Sequence, residues 1–240
     1  MTAKLPTTHL PGAIPTLNAT GFMLEHVDDY AEAFARDAAA SANEALDIGC
    51  AYGVATLRAL ELGARICACD MEAQHLQLLR ERVPEAQRPR LRTVVGTLPQ
   101  VDFPAGSFGA ILASRVLHFL AGDEMGIALR RMHDWLLPGG QLYLVADSPY
   151  MPSWLANMAT YKVARDRGEP WPGLIADFGP YRQPGATGPA FLNTLDPDTL
   201  ARECRNVGLQ VLKSDWFSMH RLGGDSNGRE HAACIARRPV

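Results

Sequence analysis

Short apolar runs alternate with helical patterns from residue 45 to residue 146, and this alternation constrains the fold more than any other feature of the chain. Residues 45–49, 65–70, 91–96, 110–114 and 141–146 read as buried strands. Residues 54–62 and 71–83 read as helices, and Leu129, Met132 and Leu136 place a third helix before the last of these strands. Strands separated by helices pair in parallel, because each crossover has to pack back onto the sheet. The pattern therefore predicts an α/β doubly wound, mostly parallel sheet with helices on both faces.

The flanks are less regular. Residues 1–20 are rich in Pro and Thr without a period and read as an arm, after which Val27, Tyr30, Phe34 and Ala38 mark a helix over 25–40. Beyond the fifth strand the rhythm stops. Residues 149–167 hold a short helical pattern (Trp154, Met158, Tyr161), and residues 168–189 contain five glycines and five prolines. An irregular insert of that length is usually functional or mobile. Asp196 then supplies an N-cap, Pro197 the first helical position, Leu200, Cys204 and Val207 an apolar stripe, and Gly208 a stop. Strands at 209–217 and 232–236 close the chain. The expected organisation is one domain: an arm and helix (1–42), a core (43–147), an insert (148–193), and a closing helix with a hairpin of strands (194–240).

Composition narrows the function. With 23 Lys and Arg against 26 Asp and Glu, the net charge of −3 gives no broad basic field for nucleic acid. No uncharged apolar run is long enough for a membrane helix, and the prolines at 6, 11 and 15 interrupt anything like a secretory signal, so a cytoplasmic protein is expected. The five cysteines (Cys50, Cys67, Cys69, Cys204, Cys234) are odd in number and sit in strand or helix patterns, which suits small buried hydrophobes in a reducing compartment. Cys67 and Cys69 lack a second pair at usable spacing, so no metal site is expected.

The segment Ala45-Leu46-Asp47-Ile48-Gly49-Cys50-Ala51-Tyr52-Gly53 carries the chemistry. An apolar strand runs into an acid and a small-residue turn that opens a helix, and such a turn lets backbone approach a ligand closely. A dinucleotide turn would read G-x-G-x-x-G, whereas Ala51 and Val54 hold its second and third glycine positions here. Asp47 inside the turn would also repel a pyrophosphate while suiting a cationic ligand.

At these residues the chain resembles the class I S-adenosylmethionine-dependent methyltransferases, with Ala51 in place of the middle glycine of their first motif. The resemblance implies a Rossmann-like, seven-stranded, mostly parallel sheet with an antiparallel last strand. It implies that Asp70, ending the second strand, accepts from the ribose hydroxyls and that Met71 packs against the adenine. Gly96-Thr97-Leu98 matches the third-strand segment, with Thr97 where the family places an acid near the adenine amino group. Residues 104–108 and 136–140 match the turns before the fourth and fifth strands. The expected cofactor is S-adenosyl-L-methionine, with S-adenosyl-L-homocysteine as product, held by Asp47, Gly49, Cys50, Ala51, Gly53, Asp70, Met71, Thr97, Leu98 and Ser114. Asp147-Ser148-Pro149-Tyr150 is similar to the Asp/Asn-Pro-Pro-Tyr signature of methyltransferases acting on exocyclic or amide nitrogens. It follows the fifth strand instead of the fourth and lacks the first proline, so it reads as a turn.

The sulfonium is already a strong electrophile, so alignment and exclusion of water matter most and a base is not strictly required. If the chain carries one, His118 is the first candidate, because it lies just past the fourth strand at the ligand-binding edge of such sheets. The remaining histidines (9, 26, 75, 133, 220 and 231) read as surface or packing residues. Arg115, Tyr150, Trp154, Tyr161, Trp171, Phe178 and Tyr181 are candidates for a substrate pocket beneath the insert, with Gly168, Gly173 and Gly179 as its joints. The expected function is methylation of a small-molecule acceptor, in natural-product or other secondary metabolism, by a monomer or homodimer. The alternatives are an RNA methyltransferase, a non-catalytic nucleoside-binding module and an NAD-linked oxidoreductase.

Overall fold

The computed structural model describes residues 5–7, 12–182, 189–218 and 226–240. Where the sequence predicts an irregular arm, Ala13–Pro15 (β1) pairs with Phe22–Leu24 (β2) in a small antiparallel hairpin. Strands this short cannot display a period of two, so the pattern hides them. Asp28 caps Asp29–Ala40 (α1), its Oδ1 accepting from the Tyr30 and Ala31 amides at 3.1 and 2.9 Å. That cap sets the start of the helix later than the hydrophobic spacing alone predicts.

The apolar runs build the sheet. Ala45–Ile48 (β3) and Ile66–Asp70 (β4) are buried along their whole length, as strands covered on both faces must be. Between them Val54–Leu62 (α2) ends at Gly63, whose φ of +107° suits a residue without Cβ. Ala73–Arg82 (α3) leads to Leu91–Val95 (β5) at one edge, and the chain then crosses to Phe108–Ser114 (β6) on the other side of β3. Gly122–Trp135 (α4) and Leu136–Asp147 (β7) continue in that direction.

The insert holds Met158–Asp166 (α5) and a two-residue pairing of Leu174–Ile175 (β8) with Leu192–Asn193 (β9). Its expected joint at Gly173 is tied down instead: the Gly173 carbonyl accepts from the Thr194 amide at 3.1 Å and hydroxyl at 2.7 Å. A Cβ there would stand 2.0 Å from the Thr194 carbonyl oxygen, so glycine serves close packing at this position. Asp196 caps Pro197–Asn206 (α6), accepting from the Thr199 amide at 2.6 Å, before Gln210–Phe217 (β10) and His231–Arg237 (β11) close the sheet.

The strand order is β10-β11-β7-β6-β3-β4-β5. The five strands from β7 to β5 are parallel, whereas β11 runs antiparallel to β7 and β10 antiparallel to β11. Helices α1, α2 and α3 bury their apolar stripes on one face, and α4 and α6 on the other. Strand order reverses between β3 and β6, which opens a crevice at their carboxyl ends. All five cysteines are buried free thiols. Among the described residues no helix is long and apolar enough to cross a membrane.

Candidate active site

A cleft of about 1360 Å³ follows the carboxyl ends of β3, β4, β6 and β7. The loop after β3 forms its floor. Gly49, Ala51 and Gly53 have φ of +71°, +45° and +76°. At Gly49 a Cβ would lie 2.2 Å from Val116 Cγ2, so the approach of the two strand ends demands glycine as strongly as the backbone angle does. Ala51 keeps a left-handed conformation uncommon for a residue with a side chain, and its amide donates to Asp70 Oδ2 at 2.7 Å. Gly53, expected at the cofactor, lies off the cleft. Its missing Cβ admits Leu79 Cδ1, which would otherwise be 2.4 Å away, so this glycine seats α2 against α3.

The two acids at this end differ. Asp47 is buried and accepts from the Thr56 hydroxyl at 2.6 Å. Burial pushes its carboxyl up to about 6, against the pull of the Thr56 bonds and with a smaller push from Asp70. Asp70 collects donors: besides Ala51, the Glu72 amide and His75 Nδ1 reach its Oδ1 at 2.9 and 3.0 Å. His75 Nε2 accepts from the Leu17 amide at 3.0 Å, which places the ring proton on Nδ1. The Tyr52 hydroxyl donates to the Pro15 carbonyl at 2.8 Å, and its ring meets His75 edge-on at 4.7 Å. These bonds fasten the β1–β2 hairpin along the cleft, where Pro15, Thr16, Thr20 and Phe22 form part of the wall. Met71, 54% exposed, faces the cleft beside Asp70, and Cys50, Thr97 and Leu98 line the same end.

The other end is built by β6, β7 and β11. Arg115 follows β6 at φ +59°, uncommon for a long side chain. Its Nη1 donates to Asp28 Oδ2 at 3.1 Å and Ser114 Oγ at 3.0 Å, and its Nε stands 3.9 Å from Asp147 Oδ1. Asp147 faces His231 across the β7–β11 ladder, with His231 Nδ1 3.2 Å from Asp147 Oδ1. His118 Nδ1 accepts from the Asp147 amide at 3.2 Å. Burial pulls the His118 ring below its ordinary range, outweighing the opposite pull of Asp147. Burial acts to raise Asp147, yet His118, His231 and Arg115 together hold its carboxyl well below the usual range. Glu230 also lines the cleft, and although burial opposes it, backbone amides and the Ser218 and Ser226 hydroxyls hold its carboxyl below the ordinary value.

The aromatic residues of the insert divide between two tasks. Trp154, Phe178 and Tyr181 line the cleft: Trp154 Nε1 donates to the Ser148 carbonyl at 2.8 Å, Phe178 meets Trp154 edge-on at 5.7 Å, and Tyr181 stacks on Phe178 at 5.6 Å. Tyr150, Tyr161 and Trp171, expected in the pocket, lie away from it. Tyr150 packs edge-on against Trp216 at 5.2 Å; the Tyr161 hydroxyl donates to Asp196 Oδ2 at 2.8 Å; Trp171 presses on Gly122 beneath Arg202. Composition marks all six as apolar and cannot say which way each faces. Residues 148–151 form the expected turn, closed by the Met151 amide on the Ser148 carbonyl at 3.3 Å.

Three histidines that read from the sequence as surface or packing residues stand in the cleft wall. They are His26, His75 and His231, whereas His133 pairs with Asp134 at 2.9 Å and His9 and His220 lie outside the described residues. Asp28 lies inside the stretch that reads as helix and is instead the N-cap of α1. His231 carried no signal, because its partner is set by strand register.

Residues 46–144 match a family model described as a methyltransferase domain. Cypemycin N-terminal methyltransferase from a Streptomyces species is 32% identical over 127 residues, covering 51% of this chain and 50% of that protein. The chain thus spans about half the length of the curated relative it matches. A S-adenosylmethionine-dependent methyltransferase from Methanosarcina mazei shares the fold with a TM-score of 0.63 at 17% identity, over 82% of this chain and 93% of that one. The 1,6-didemethyltoxoflavin-N1-methyltransferase of Burkholderia thailandensis, solved with 1,6-didemethyltoxoflavin and S-adenosylhomocysteine, does so with a TM-score of 0.55 at 21% identity, over 87% and 80%. At those identities the structural likeness is one of fold. Residues 46–144 thus match a methyltransferase domain, and the strand order is that of a fold shared with S-adenosylmethionine-dependent methyltransferases.

Proposed function

We propose that the chain transfers the methyl group of S-adenosylmethionine to a nitrogen atom of a small-molecule acceptor seated at the Asp147 end of the cleft. The observation that carries this reading is the cleft itself, which runs from the β3 loop to Asp147 in one space of about 1360 Å³, larger than the roughly 300 to 1,000 Å³ that houses a single small ligand. A nucleoside and an acceptor fit side by side.

The residues present suit the cofactor. The left-handed loop brings backbone close, Asp47 is a buried acid with Thr56 as its side-chain donor, and Met71 offers an open apolar surface to an adenine. Asp70 already receives three donors, and with about four lone-pair sites on a carboxylate it has room for one ribose hydroxyl, where the family resemblance implies two. When bound, the sulfonium supplies an electrophilic methyl. The chain's part is to align the nucleophile and keep water out, with Trp154, Phe178 and Tyr181 of the insert acting as the cap over the acceptor.

Nitrogen is favoured by the Asp147 end of the cleft, whose wall carries the carboxylates Asp28, Asp147 and Glu230 against Arg115 and Arg182 and so suits a cationic amine better than an anion. By their names, the Burkholderia neighbour is an N1-methyltransferase and the Streptomyces relative an N-terminal methyltransferase. The test is incubation with methyl-labelled S-adenosylmethionine and a panel of primary amines, free N-terminal dipeptides, aromatic N-heterocycles, phenols and thiols, read by mass spectrometry. Label on nitrogen is expected. Label confined to phenols or thiols would overturn the nitrogen assignment, and no transfer at all would favour a nucleoside-binding module.

A further inference from the structure

We propose that His231, oriented by Asp147, is the base that takes the proton from the acceptor nitrogen; this rests on the nitrogen reading above. Sequence order points to His118, and the hydrogen bonds of the two rings separate them. His118 accepts the Asp147 amide proton on Nδ1. A neutral imidazole bound that way carries its proton on Nε2, so it offers the cleft a donor and has no lone pair left for a substrate proton. His231 is the reverse. Its Nδ1 lies 3.2 Å from a carboxylate oxygen of Asp147, which can only accept, so Nδ1 carries the proton and Nε2 keeps its lone pair. Among the described residues Nε2 has no hydrogen-bond partner, while His231 lines the cleft.

The pair is held rigidly. Asp147 and His231 are direct partners in the β7–β11 ladder, Phe217 of β10 pairs with His231 from the other side with ring centroids 5.2 Å apart, and His118 anchors the Asp147 amide. The charged and titratable groups around the ring are Asp147 of β7, His118 and Arg115 after β6, and Glu230 next to it in the chain. A ring protonated at Nε2 would still face the Asp147 carboxylate oxygen, 3.2 Å from its Nδ1.

An acceptor ammonium passes one proton to His231 Nε2. The freed nitrogen pair then bonds to the methyl carbon as the carbon–sulfur bond breaks and its electrons stay on sulfur, giving an N-methylammonium and S-adenosylhomocysteine. His231 returns its proton to solvent.

Two measurements decide the assignment. In long-range proton–nitrogen spectra of histidine-labelled protein with S-adenosylhomocysteine, His231→Asn and His118→Asn identify the signals. The expected result at neutral pH is a proton on Nδ1 of His231 and on Nε2 of His118; a proton on Nε2 of His231 would overturn the proposal. In turnover with an amine from the panel, His231→Asn keeps a donor toward Asp147 but has no base, and kcat is expected to fall by about 10² to 10⁴ with S-adenosylhomocysteine affinity preserved. The deficit is expected to shrink as pH approaches the amine's own pKa, because free amine needs no base. A deficit of constant size at every pH, or one that follows His118→Asn instead, would overturn it. Transfer only to oxygen or sulfur would refute the nitrogen reading alone, since the spectra still report which nitrogen of His231 is protonated.

Discussion

Asp47 and Asp70 lie at the carboxyl ends of neighbouring strands, yet different groups surround them. Asp70 is met by three donors, whereas Asp47 is sealed in with Thr56 and its carboxyl is pushed up to about 6. A buried acid raised in this way binds its proton more tightly in the folded chain than in the unfolded one. Stability therefore falls as pH climbs from about 4, where the unfolded side chain ionises, to about 6, and stays lower above that. Asp47→Asn cannot ionise. Without cofactor it is expected to lie closest to the wild type near pH 4 and to be more stable above about pH 7 by up to about 3 kcal/mol, read from denaturation at a series of pH values. A difference independent of pH would show that Asp47 is ionised at little cost. Gly49 illustrates a different limit: blocking it with a larger side chain would collide with Val116 and so test the fold before it tests the pocket.

At the scale of elements, the hairpin β1–β2 is fastened by the bonds from Leu17 to His75 and from Tyr52 to Pro15. His75→Phe keeps a ring against Tyr52 and removes the acceptor for the Leu17 amide. Amide hydrogen exchange across residues 13–24 is expected to quicken with little change in the sheet, since loops of low local stability open independently of the core. Unchanged exchange there would mean that the Tyr52 bond alone holds the hairpin. The insert makes a second element-scale prediction, because its aromatics face two ways. Phe178→Ala is expected to raise the acceptor KM while leaving S-adenosylhomocysteine affinity alone. Tyr161→Phe is expected to leave KM alone and cost stability of about 1 to 3 kcal/mol, because the Asp196 cap of α6 loses a buried donor. The reverse pattern would place the acceptor on the other side of the insert. Excising the insert would remove both kinds of contact at once, so single substitutions separate cap from scaffold.

Over the whole molecule, the fold was legible wherever local pattern decides structure. Fully apolar runs became central strands, and Asp196-Pro197 and Gly208 marked the ends of α6. The loop at the proposed cofactor end was legible for the same reason, since Asp47, Gly49 and Ala51 lie within five residues and the turn they make is local. The proposed acceptor end was not. Asp147 and His231 are 84 residues apart and meet only through the register of β7 and β11, and Arg115 and Asp28 are 87 apart. Such pairs leave no trace in spacing. The central claim, a nucleoside seated between the β3 loop and Asp70, is tested most directly by calorimetric titration with S-adenosylhomocysteine. The expected result is one site per chain, undisturbed by excess NADH, retained in His231→Asn and weakened by about tenfold or more in Asp70→Asn, in line with loss of a charge-assisted hydrogen bond. Equal affinity in Asp70→Asn, or binding of NADH in place of S-adenosylhomocysteine, would contradict it.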